Sequence, residues 1–120
     1  MKLLKIKNSS DFKQISKNGN KFIAKSLILL SNDSAQKYHY NRELSLNAEK
    51  FCRVGFTASK KIGNAVSRNK AKRRLREASR KIMLEFGKAN KDYVVIARKE
   101  VLTSDFKKIL SDLKFCITRT

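Results

Sequence analysis

The chain has no proline and no tryptophan, only two cysteines, one histidine and four glycines in 120 residues. No apolar run approaches the roughly 18 residues that span a bilayer. Two cysteines, Cys52 and Cys116, make no disulfide framework, and neither belongs to a Cys-x-x-Cys or Cys/His cluster; two reduced, partly buried thiols are expected. His39 is too isolated, in a polar stretch, to propose as a ligand or catalyst. Acids are scarce as well: ten Asp and Glu face 29 Lys and Arg, a net charge of +19. The ten are scattered and form no motif, so the clustered carboxylates of a self-sufficient metal-dependent nuclease are missing. No glycine-rich phosphate loop appears; Ile62-Gly63-Asn64 reads as a tight turn only. The first residues, Met1 to Lys7, are interrupted by lysines and lack a signal peptide's apolar centre, and no lipidation motif is present. The expectation is a single cytoplasmic domain, 1–120, that binds rather than catalyses, with no catalytic or metal-ligating residue of its own.

What is present is positive charge, concentrated in one stretch. Between Lys60 and Lys81 stand ten Lys or Arg and one acid, Glu77. With Ala71 as the zero of a helical wheel, Ala71, Leu75, Ala78, Ile82 and Phe86 share one stripe. Ala65, Asn69, Lys72, Arg73, Arg76 and Arg80 fall opposite, flanked by Arg68, Lys70, Arg74 and Lys81. Asn64 is the expected N-cap. Glu77 can pair with Arg73 and Lys81 for about a few tenths of a kcal/mol each. The other cations repel one another, and a polyanion relieves that repulsion while releasing its condensed counterions. A solvated charged face mixes both signs; this one does not, which points to nucleic acid.

The remaining elements follow in order. Residues 8–19 read as a first helix with Phe12 and Ile15 on its apolar face, capped by Asn8 or Ser9 and stopped by Gly19. Residues 21–30 read as strand, broken near Ala24–Ser26. Residues 31–50 read as a long exposed loop with a helical fragment near Arg42–Glu49. Residues 51–59 alternate: Val54, Phe56 and Ala58 on one side, Arg53, Gly55, Thr57 and Ser59 on the other. Residues 93–98 are continuously apolar, as in a strand covered on both faces. Residues 104–117 close the chain as an amphipathic helix with Thr103 or Ser104 as cap.

The run Lys-Lys-Ile-Gly-Asn-Ala-Val-Ser-Arg-Asn-Lys-Ala-Lys-Arg-Arg-Leu-Arg-Glu, residues 60–77, resembles the signature of the bacterial ribonuclease P protein component. The Asp11-Phe12 step followed by Gly19, and Arg53 to Ser59, resemble the same family, so the likeness covers nearly the whole chain. It departs at Lys70, where the family has arginine; the charge stays but the planar fork is lost. The resemblance implies an α+β, two-layer α/β sandwich of order α-β-β-β-α-β-α, with a four-stranded mixed sheet and a left-handed βαβ crossover where the general rule is right-handed. It implies a non-catalytic subunit of an endoribonuclease whose RNA holds the Mg²⁺ ions and removes the 5′ leader of precursor tRNA; the protein itself binds no cofactor.

Carried over by position, the resemblance assigns Lys60, Lys61, Arg68, Asn69, Lys70, Lys72, Arg73 and Arg76 to the catalytic RNA, and Arg80 extends that face. Val66 and Leu75 become core. A cleft for the leader would run along Phe12, Ser16, Ile28, Leu30 and Thr57, with plain core as the competing reading of Phe12, Ile28 and Leu30. The family often has aromatics at Ser16 and Leu30; with Phe12 as the one stacking ring, leader binding is expected to be weaker or more electrostatic. Membrane and DNA partners are not expected, since no second short helix completes a helix-turn-helix. The competing function is a general structural RNA-binding protein of ribosomal or chaperone type.

Overall fold

The computed structural model describes residues 2–6, 9–33, 51–89 and 91–120. The elements are β1 (Lys2–Lys5), α1 (Ser9–Asn18), β2 (Asn20–Ile23), β3 (Leu27–Asn32), β4 (Phe51–Thr57), a 3₁₀ turn (Lys60–Ile62), α2 (Ala65–Phe86), β5 (Asp92–Ala97), a second 3₁₀ turn (Lys99–Leu102) and α3 (Phe106–Ile117). They form one mixed sheet in the order β1-β4-β5-β3-β2. β1, β4 and β5 run parallel, and β3 is antiparallel to both β5 and β2.

The class is the expected α+β, but the sheet has five strands, not four. The added strand is β1, a four-residue edge strand whose Lys5 pairs with Val54. So short a segment carries no readable period; its neighbour β4 makes it a strand. The order is therefore β-α-β-β-β-α-β-α.

Side-chain alternation sends the two faces of the sheet into separate cores. Leu27, Leu29, Cys52, Val54, Tyr93 and Val95 pack with Ala71, Leu75, Ala78 and Met83 of α2 and with Ile109, Leu113 and Cys116 of α3. Leu30 and Val94 turn to the other face and meet Ile6 and Ile15. Helices thus lie on both faces rather than in two layers, with α1 alone on the second. β5, buried from Asp92 to Val95, is the doubly covered strand its apolar run announces.

Most boundaries match expectation, with local corrections. Asn64 caps α2, its side chain accepting from the Ser67 amide at 2.9 Å. α3 begins one residue after Asp105, which makes no side-chain cap bond; the Ser104 hydroxyl instead donates to the Glu100 carbonyl at 2.7 Å. α1 starts at Ser9, placing that residue inside the helix, while Asn8 lies outside the described residues. Gly19 does end α1, but without a left-handed φ. A Cβ there would stand 2.5 Å from the Ile15 carbonyl oxygen, so what the site requires is close approach. β3 runs to Asn32 and takes the first residues of the expected 31–50 loop; residues 34–50, with the Arg42–Glu49 fragment and His39, lie outside the described residues.

Arg53 joins the layers. It is 6% exposed, its Nε and Nη2 donate to the two Asp92 carboxylate oxygens at 2.8 and 2.6 Å, and its Nη1 donates to Asp11 of α1 at 3.0 Å. A bidentate pair across adjacent parallel strands thus also holds the helix on the second face. At the opposite end, the Ser26 amide and hydroxyl donate to Asp112 at 3.1 and 2.7 Å, tying the β2–β3 turn to α3. Replacing one partner of a buried pair leaves the other charge buried and uncompensated. Arg53→Met is expected to lower unfolding stability by about 3–5 kcal/mol in urea titration; an unchanged midpoint would contradict the clamp.

Both thiols are buried and neither forms a disulfide. Burial, then the Asp92 carboxylate, pushes the Cys52 thiol up to about 11. Burial, then Asp112, does the same for Cys116, again to about 11. Unfolded thiols ionise near pH 8.5, so the stability these groups add is complete below that value and is lost as pH climbs through about 11. Alkylation at pH 8 is expected to be slow in the folded chain and fast in guanidinium; fast labelling of the native protein would refute the burial.

Candidate nucleic-acid interface

α2 has 22 residues and is about 33 Å long. Its inner stripe is the expected one, Ala71, Leu75, Ala78 and Ile82, joined by Ser79 and Met83. On its outer side Asn69, Lys70, Arg73, Arg76 and Arg80 are exposed, while Arg68 and Lys72 are half-buried at its margins. Lys60 and Lys61 are exposed on the 3₁₀ turn that leads into the helix, where Ser59 accepts from the Lys61 amide at 3.3 Å. All nine expected contacts therefore lie on one helix and the turn before it.

Among the described residues no ion pair within 4.0 Å involves a cation of α2. Glu77 therefore makes neither of its expected pairs. Five acids are engaged elsewhere: Asp11 and Asp92 on Arg53, Asp33 on Lys91, Glu100 near Arg98 and Asp112 near Lys108. The helix keeps a strongly cationic surface because its neighbours supply no counter-charge and its own exposed acids, Glu77 and Glu85, pair with none of its cations.

Two cations of the run have other roles. Arg74 donates to the carbonyls of Val101 and Ser104 at 2.7 and 2.6 Å, fastening α2 to the turn before α3. Lys81 stands 5.6 Å from the centroid of the Phe106 ring. Val66, expected in the core, is 76% exposed and borders a shallow hollow with Asn69, Lys70, Arg73 and Arg76. Five residues before Ala71, it falls on the outer side of the helix with Asn69, Arg73 and Arg76, so no wall covers it.

The expected leader cleft is only partly open. Phe12 lies over Gly55, where a Cβ would come within 2.5 Å of its ring; only glycine admits the ring so close to β4. A hollow of about 170 Å³ here is bordered by Phe12, Gly55 and Lys5 and roofed by Lys72 and Arg76. Phe56 also borders it, so Phe12 is not the one available ring. Thr57, Ile96 and Ile28 form a register row across β4, β5 and β3, all half-buried, and Ile28 and Ile96 pack against the cluster that holds Ile15 of α1. Ser16 is exposed on α1, whereas Leu30 is 5% exposed and packed with Ile15 and Val94, as plain core. Gly55, Phe56, Ile96 and Lys5 were not anticipated. Strand register would have found Ile96, but it needs a pairing partner that sequence alone does not name.

No group of three or more His, Cys, Asp or Glu side chains that could hold a metal ion occurs among the described residues.

A family model described as Ribonuclease P matches residues 1–120. The chain belongs to the ribonuclease P protein family. It is 38% identical over 118 residues to the ribonuclease P protein component of Paramagnetospirillum magneticum, covering 98% of this chain and 83% of the relative. It is 32% identical to that of Thermoanaerobacter sp. strain X514, covering 99% and 90%. The Staphylococcus aureus RNase P protein superposes with a TM-score of 0.72 at 27% identity, covering 98% and 95%. The family member from Thermotoga maritima gives 0.74 at 25%, covering 97% and 96%.

Within this family member, Arg73 and Arg74 are neighbours with opposite orientations, which separates binding from stability. Arg73→Ala is expected to leave the thermal midpoint within a degree or two and to weaken RNA binding. Arg74→Ala is expected to lower the midpoint by several degrees, because two backbone carbonyls lose their charged donor. Equal midpoints for the two variants would contradict the assignment.

Proposed function

We propose that this chain is the RNA-facing subunit of ribonuclease P, presenting the outer side of α2 to the catalytic RNA and the hollow beneath Phe12 to the 5′ leader of precursor tRNA. As a ribonuclease P protein component it serves an endoribonuclease of tRNA 5′ processing. The observation that carries the RNA contact is the dense cationic face of α2, whose cations have no ion-pair partner among the described residues. Arg68, Lys70, Arg73, Arg76 and Arg80, with Lys60 and Lys61, neutralise phosphates there and release counterions, and the Asn69 amide adds a hydrogen-bond donor. Lys70 suits a point contact with phosphate more than a forked or stacked one.

The chemistry belongs to the RNA and to the Mg²⁺ ions it carries; this chain's residues bind and position. Lys72 and Arg76 attract a backbone to the hollow, and Phe12 and Phe56 offer faces for unstacked bases, each worth about 1–3 kcal/mol. With Ser16 and Leu30 in place of aromatics, the leader is held more by charge than by stacking. The reading places the protein with its RNA in the cytoplasm. No helix among the described residues is long and apolar enough to cross a membrane.

The test is 5′ processing of a precursor tRNA at low Mg²⁺ with the protein alone, the cognate RNA alone, and both. Cleavage with both that is far faster than with RNA alone is the expected result; no gain from the protein would overturn the proposal and leave a general RNA-binding protein. Neutralising six to eight phosphates predicts that log K falls with log salt at a slope of about −5 to −7. A slope near −1 would remove the basic face from the mechanism.

A further inference from the structure

Where α2 overhangs the sheet's edge, its inner and outer sides meet β1 around a third hollow, of about 190 Å³. Leu3, Val54 and the Phe56 ring line it, and Lys5, Arg76 and Arg80 stand around it. Ser79 is also in its wall. That residue is 2% exposed, and its hydroxyl has no hydrogen-bond partner among the described residues. Helical serines usually satisfy themselves on the carbonyl one turn back, so an unpartnered buried hydroxyl in a cavity wall is uncommon.

We propose that this hollow is a nucleotide subsite, taking one unstacked base, with its phosphate, from the RNA that lies on α2. The inference rests on the reading of α2 as the RNA-binding face. At about 30 Å³ per water the space equals roughly six waters, enough for one heterocycle and below the range of drug-sized pockets. The apolar lining and the Phe56 face suit a base; the three cations suit its phosphate. The Ser79 hydroxyl both donates and accepts, so it pairs with the polar edge of any base and implies no base preference. RNA is the favoured source over a free nucleotide because Arg76 lines all three hollows: this one, the one beneath Phe12 and the one beside Val66. A strand on the outer side of α2 therefore reaches the subsite without leaving the basic face. Arg76 also lies over the Phe56 ring, 5.9 Å from its centroid, so charge and aromatic face are already side by side at the subsite.

The experiment measures affinity for the cognate ribonuclease P RNA, its salt slope and the thermal midpoint for the full chain and for Ser79→Ala, Ser79→Val and Arg73→Ala. Ser79→Ala removes a hydroxyl with no partner, so the midpoint is expected to hold or rise, while RNA affinity falls about three- to tenfold. Ser79→Val narrows the hollow and removes the hydroxyl, and lowers affinity further, by about tenfold or more if one stacked base is expelled. Neither variant changes the salt slope, because no charge is lost; Arg73→Ala reduces it by about one. Should Ser79→Val overpack and unfold the chain, Ser79→Ala carries the test alone. Wild-type affinity in Ser79→Ala would overturn the subsite while a steep wild-type slope left the basic face standing. A shallow wild-type slope would instead overturn the basic face itself.

Methyl NMR of Leu3, Leu4 and Val54 distinguishes the sources. Shifts with the RNA and with adenosine 5′-monophosphate, but not with inorganic phosphate at matched ionic strength, support the proposal. Equal shifts with inorganic phosphate reduce the hollow to an anion site. Shifts with the mononucleotide but none with the RNA assign it to free nucleotide. Either result overturns the proposal.

Discussion

The buried contact of Arg53 with Asp92 and Asp11 determines how the rest of the molecule is arranged. Its partners belong to β5, the centre of the sheet, and to α1, the sole helix on the second face. Two residues along β4, Gly55 receives the ring of Phe12, so the clamp that seats α1 also sets the depth of the hollow beneath it. Ion pairs of this kind are seldom a net source of stability compared with apolar packing. Their value here is geometric: the planar fork of arginine fixes both the register of β4 on β5 and the seat of a short helix that buries only Ile15 completely.

The same contact shapes the electrostatics of the surface. The chain has ten acids for 29 bases, and its buried acids are used to hold the fold: Asp92 on Arg53 and Asp112 on Ser26. Neither forms an ion pair with a cation of α2, whose outer side stays strongly cationic, with Glu77 and Glu85 as the exposed acids of a helix about 33 Å long. Self-repulsion on such a face weakens the free protein, and a polyanion removes it, so what destabilises the chain alone is what drives assembly with RNA.

Particular residues show where sequence reading succeeds. The α2 stripe of Ala71, Leu75, Ala78 and Ile82 follows from a 3.6-residue period, and its cap from Asn64, because both are local. Asn69, Lys72, Arg73, Arg76 and Arg80, with Arg68 and Lys70 at the flanks, follow from the same wheel, whereas Lys60 and Lys61 lie on the turn before it. Val66 fails because its core role is carried over by position in a family; the wheel itself, five residues before Ala71, turns it to the outer side, where it is exposed. Arg74 fails for the converse reason: its angle suggests solvent, but the carbonyls of Val101 and Ser104 lie within reach. Leu30 reads as cleft by position in a family and is core by register, since Val94 and Ile15 cover it.

Composition, helical period and the run from Lys60 to Glu77 by themselves determined a basic binding protein, its main helix, the side that helix buries and its family. These are properties of residues near one another in the chain, where spacing is geometry. Only the tertiary structure decided that β1 joins the sheet, that α1 seats on the second face through Arg53, and that Phe12, Phe56, Arg76 and Ser79 border hollows that share Phe56 and Arg76. Those depend on strand pairing and close approach between segments dozens of residues apart, and no local pattern encodes a distance across the chain.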